Sequence, residues 1–145
     1  MNNRRILVRA RSQLCALPIT AVAETLRPLP TTHLAGLPPW VLGMAVIRGH
    51  SVPVVDLGRL LGVEGPPDPR RLVLMRSADR PLALSVEAVV GIDDADDAPL
   101  DRAAPPMREG IVESFGVHRQ ELLAVLSAGH LLPAGVPNTT AGMPP

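Results

Sequence analysis

Residues 41–62, VLGMAVIRGHSVPVVDLGRLLG, decide how this chain is read. Two short apolar runs, VLGMAVIRG and SVPVVDL, flank a turn at Gly49-His50 and read as a strand pair. Pro53 has no N–H to give to a ladder, so the second strand is expected at an edge or a bulge. Asp56 directly precedes LGRLLG, where it would cap a short helix whose C′ position is Gly62. Arg48 is the misfit. It breaks an apolar run, cannot be deprotonated, and needs a partner if it is buried.

The same two-residue period continues outward on both sides. RILVRA and LCALPI read as strands joined by a polar turn at Arg11 to Gln13. TAVAETL has room for about two helical turns with Thr20 as N-cap. The prolines at 28, 30, 38 and 39 exclude a long helix before Trp40. RRLVLMRS and RPLALSV form a further apparent hairpin, turning at Ala78-Asp79-Arg80. EAVVGI follows, and a polar loop is expected from Asp93 to Glu109. GIVESFGVHRQ and ELLAVLSAGHLL close the series, the second a strand running into a short helix. From Pro133 the chain loses all periodicity, and a disordered tail is expected. Short strands, Gly/Pro turns and no alternation with helices predict an all-β barrel architecture.

Composition narrows the function classes. At 145 residues the chain fits one domain able to bury a core without metal or disulfides. The net charge is zero, which offers no basic footprint for nucleic acid. With Trp40 and Phe115 as its aromatics, the chain has no base-stacking platform. A single Cys15 excludes an intrachain disulfide framework and a cysteine-rich metal site. The N-terminus starts basic, as a signal peptide does, but Arg9, Arg11 and Pro18 interrupt its apolar region. It is read as mature cytoplasmic protein, with no run of the roughly 18 apolar residues a membrane span needs.

The search for chemistry finds no catalytic constellation. His33, His50, His118 and His130 have no metal-ligand spacing among themselves or with Cys15. There is no phosphate-cradling glycine loop, no H-E-x-x-H and no G-x-S-x-G. The acidic run DDADDAPLD lacks the glycine and terminal glutamate of a calcium loop and reads as a solvated loop. Cys15 lies in an apolar strand, where an inert buried thiol is expected. No nucleophile, base and orienting group assemble, so the chain is read as a non-enzyme with no cofactor and no metal.

The run ITAVAETLRPLP followed by LPPWVLGMAVIRGHSVPVVDLGRLLG resembles the signature of the CheW family of chemotaxis coupling proteins. The matching positions are Val22 to Glu24, Pro38 and Pro39, Gly43, Arg48-Gly49, and Pro53 to Leu57. LALSVEAVVGI resembles the family's second hairpin, and GIVESFGVHRQELLAVLSAGHLL its closing strands. Glu87 departs from the Asp that the family usually carries, and the scarcity of aromatics is a second departure. The resemblance implies two small SH3-like five-stranded β-barrels packed together, with short helices. They would occupy residues 1–132, with the tail over 133–145. It implies an adaptor that couples the cytoplasmic tips of transmembrane chemoreceptors to the regulatory domain of a CheA-type histidine kinase. In the family the Arg-Gly turn lies near the groove that meets the receptor tip; carried over residue by residue, Val22, Glu24, Arg48 and Gly49 form that protein interface, in which Glu24 pairs with Arg48. The same pair is equally readable as a brace within the barrel. Two other function classes stay open: an all-β binding module of another signalling pathway, and an enzyme with a site around Asp93 to Asp101.

Overall fold

Short apolar runs of five to seven residues, most of them buried on both faces, form ten short strands and one helical turn among the described residues. A computed structural model describes residues 3–76, 81–94 and 111–127. The strands are β1 (Arg4–Ala10), β2 (Gln13–Pro18), β3 (Val22–Leu26), β4 (Val41–Ile47), β5 (His50–Asp56), β6 (Arg71–Met75), β7 (Leu82–Val86), β8 (Ala88–Asp94), β9 (Val112–His118) and β10 (Glu121–Leu126). Helix α1 spans Leu57–Leu60. Two five-stranded sheets result, ordered β8-β1-β2-β10-β9 and β3-β6-β7-β5-β4. The second is contiguous in sequence; the first is built from both ends of the chain around it.

The two sheets share one topology. Each has three antiparallel pairings and one parallel pairing, β2 with β10 in the first and β5 with β7 in the second. Starting the first sheet at β8 reproduces the strand order of the second, so one is a circular permutation of the other. The correspondence extends to single residues. β4 and β5 turn at Arg48-Gly49, and β9 and β10 turn at Arg119-Gln120, both with positive φ at both turn positions. That is the turn whose twist matches a hairpin's. Val46 and Val117 occupy the same register position before these turns, and both are exposed.

Neither sheet closes into a barrel by backbone hydrogen bonds; side chains bridge each seam instead. In the first sheet, Asp93 on β8 meets His118 Nδ1 on β9 at 3.2 Å and takes a bidentate pair from Arg5 at 2.9 and 3.1 Å. At the corresponding positions the second sheet has apolar Leu26, Ile47 and Leu72. Each sheet encloses a small apolar cluster, Leu7, Leu14, Ala16 and Leu123 in the first and Ala45, Ile47, Val52, Val54, Leu72 and Ala83 in the second. The opposite faces meet in the main core. There Val8, Cys15, Leu17 and Leu126 pack with Val55, Val73, Leu84 and the α1 residues Leu57 and Leu60. Burying each large aliphatic side chain is worth about 1.5–3 kcal/mol.

Several expectations need correction. TAVAETL is not a helix: residues 19–21 form one 3-10 turn after Pro18, with no side-chain cap from Thr20, and Val22–Leu26 continues as a strand. Pairing with β6 outweighs the helical preference of its alanines. Pro53 lies in an interior strand, opposite Met44, just before the parallel pairing with β7 begins at Val54. The missing N–H therefore breaks no bond of that parallel ladder. The bulge falls instead on β4, between Val41 and Gly43. The central hairpin turns one residue earlier than expected, at Arg48-Gly49. Asp93 and Asp94 belong to β8 and not to a loop, because they face Arg5 and Arg4 on β1. The turn at 78–80, the rest of the acidic run, the helix after β10 and the tail over 133–145 lie outside the described residues.

Candidate functional site

Gly43 sets up the site. Its φ of +150° suits glycine, and a Cβ there would stand 2.6 Å from the Thr32 carbonyl oxygen. That close approach lets Thr32 exchange two backbone hydrogen bonds with Met44, each 2.8 Å, which fixes the connection from β3 to β4 against the sheet edge. β4 then runs out to the turn. Arg48 has φ +53° and Gly49 φ +80°, and both project into solvent.

Arg48 is not buried. Its side chain is 69% exposed, and its Nη2 donates to Glu24 Oε2 at 2.5 Å. Glu24, on edge strand β3, is 29% exposed. The pair spans the open seam of the second sheet, in the role that Asp93 and His118 play in the first. One guanidinium nitrogen is engaged, and the others face solvent with the fork geometry that suits carboxylates. Gly49 supplies turn geometry, with open space around its α-carbon. Val22, two residues before Glu24 on β3, is half-buried against the main core. The structure thus brings Glu24 and Arg48 together at the Arg48-Gly49 turn, while Val22 packs toward the core.

Val46 was missed by the sequence reading. It is 74% exposed, between buried Ala45 and Ile47 and two residues from Arg48. The sequence carries no signal for it, since Met44, Ala45, Val46 and Ile47 are all apolar and only the register puts Val46 on the outer face.

The remaining candidates are structural. Asp56 caps α1 through Oδ1, which accepts from Arg59 N at 3.4 Å. Cys15 is fully buried, and burial pushes its thiol up to about 12. Trp40 packs partly on the main core. Among the described residues, no three His, Cys, Asp or Glu side chains could hold a metal ion. A groove of about 590 Å3 beside Pro39 and Pro66 contains Arg59 and Glu64 but no nucleophile. Arg59 spans it to the carbonyls of Pro39 and Gly65, so its lining is already engaged.

Residues 4–135 match the family model of the CheW-like domain. The chain belongs to the CheW-like domain family. It is 32% identical to Protein PilI of Pseudomonas aeruginosa over 115 residues, which cover 76% of this chain and 64% of PilI. It therefore spans less than two thirds of that relative's length. Its fold is similar to that of the crystal structure of the scaffolding protein TtCheW from Thermoanaerobacter tengcongensis. The TM-score is 0.80 at 17% identity, over 96% of this chain and 98% of that one. No helix among the described residues is long and apolar enough to cross a membrane.

Proposed function

We propose that this CheW-like chain is a non-catalytic adaptor that couples chemoreceptors to a CheA-type histidine kinase. It acts without a cofactor, in the cytoplasm, against receptor tips at the inner membrane. The unit that docks is the CheW-like domain over residues 1–132, and residues 133–145 serve as a tail. The observation that carries this reading is the Glu24–Arg48 pair, hydrogen-bonded and solvent-facing at the tip of the β4–β5 hairpin, beside exposed Val46. A pre-oriented fork next to an apolar contact favours docking of a protein surface that carries its own carboxylate or amide oxygen. Val22, Glu24, Arg48 and Gly49 form the proposed interface, with Gly49 holding the turn. Family membership supports the scaffold role; the partners are part of the proposal.

Reconstitution tests it. The purified chain, mixed with the cognate kinase and a receptor cytoplasmic fragment, should sediment as a ternary complex and raise kinase autophosphorylation several-fold. Sedimentation and kinase activity identical with and without the chain would refute the adaptor role.

A further inference from the structure

We infer that Arg11 fixes the angle between the two sheets, and with it the relative placement of the surfaces that a scaffold presents; this second half rests on the function proposed above. Arg11 belongs to the turn between β1 and β2 of the first sheet, but its side chain leaves that sheet. Nη2 donates to Asp56 Oδ2 at 2.6 Å, and Nη1 donates to the Val63 carbonyl at 2.8 Å, both on the second sheet's side of the core. The pair is nearly dry, with side-chain exposures of 11% and 6%. Gly58 in α1 makes room for it, because a Cβ there would fall 2.2 Å from Arg11 Cγ.

The rest of the contact between the sheets is apolar packing, which by itself specifies no direction, and the junction of β7 with β8 at Glu87, whose N–H donates to the Arg9 carbonyl at 2.8 Å and pins the sheets at that point. A two-headed guanidinium held by a carboxylate and a carbonyl does specify one. The ion pairs Arg5–Asp93, His118–Asp93, Arg9–Glu121 and Arg48–Glu24 each stay within one sheet. Asp56 serves both sides at once: Oδ1 caps α1 and Oδ2 receives Arg11. The residual space around the pair, bordered by Asp68, Ser85 and Glu87, is about 10 Å3. That admits one water at most, so the slot is occupied by Arg11 itself and is not a ligand site.

The test measures the angle without any partner. Nitroxides are placed at Arg71→Cys in the second sheet and Glu113→Cys in the first, both exposed positions, in a Cys15→Ala background. Double electron–electron resonance then gives the distance between the sheets. Arg11→Ala removes the link, Gly58→Ala evicts the side chain with both charges left in place, and Arg11→Lys keeps the charge but loses the fork. We expect Arg11→Ala and Gly58→Ala to broaden the distance distribution at least two-fold while amide shifts within each hairpin stay native. Arg11→Lys should recover part of the narrow distribution. Kinase-domain binding by unlabelled Gly58→Ala should weaken about ten-fold. An unchanged distribution in Gly58→Ala and Arg11→Lys overturns the inference, even if Arg11→Ala does not fold. A broadened distribution with unchanged binding overturns the functional half only. A wild-type chain that binds no kinase domain refutes the adaptor reading, and the distances still decide the role of Arg11.

Discussion

Replacing Arg48 by glycine separates an interface residue from a structural brace. The Glu24 pair is largely solvent-exposed, and exposed ion pairs contribute about 0.2–1 kcal/mol. Arg48 also sits at φ +53°, where a residue with a Cβ costs roughly 1–2 kcal/mol. Glycine relieves that strain but adds about 0.5–1 kcal/mol of unfolded-chain entropy. The terms nearly cancel, so Arg48→Gly should change stability by no more than about 1 kcal/mol, roughly 4 °C in Tm for a chain of this size. Arg48→Ala keeps the strain and loses the pair, so it should be the less stable of the two. Calorimetry gives the stability, and titration with the receptor cytoplasmic fragment and with the kinase regulatory domain gives the affinity for the partner that meets this hairpin. We expect affinity to fall at least ten-fold in both variants while Tm hardly moves in the glycine variant. Loss of more than about 3 kcal/mol in Arg48→Gly, the size expected for breaking a buried pair, would refute the exposed-pair argument. Unchanged affinity in both variants would remove Arg48 from the interface.

Gly43→Ala should destabilise the domain by about 1–3 kcal/mol, since the new Cβ meets backbone and not a flexible side chain. Hydrogen exchange should then quicken at the Thr32 and Met44 amides before the rest of β4. Cys15 should resist a thiol reagent at pH 8 in the folded protein and react fully once unfolded, because its thiol is buried and pushed up to about 12. Fast native labelling would contradict the packing. The Arg9 hydrogen bond holds the Glu121 carboxyl below its ordinary value. A depressed carboxylate stabilises above its unfolded pKa and loses that contribution as pH falls through the folded one. Glu121→Gln should therefore lower stability slightly at neutral pH and flatten the acid limb below about pH 4.5, so that variant and wild type converge at low pH.

Local pattern carried much of the fold. The β4–β5 hairpin, the Asp56 cap and the β6–β7 pair follow from short apolar runs and their local spacing over fewer than twenty residues each. β3 was misread because Ala21 and Ala23 favour helix, although Val22, Glu24 and Leu26 alternate as an edge strand does. The pairing of β2 with β10 joins residues over a hundred positions apart, and nothing local in LCALPI announces it. The same holds for Arg11, which reads as a polar turn residue and acts across the core. Of the site, the Glu24–Arg48 pair was legible through family resemblance, whereas exposure at Val46 and Arg48 depended on register and turn position. A shift of one residue in that turn is enough to reverse which side chains face out.

The most direct measurement is calorimetric titration of this chain with the isolated regulatory domain of its cognate CheA-type kinase, with no receptor and no cofactor present. A saturable one-to-one complex with a Kd in the micromolar range is the expected result. No heat of binding up to several hundred micromolar, from a chain whose native fold is confirmed in the same sample, would contradict the adaptor function.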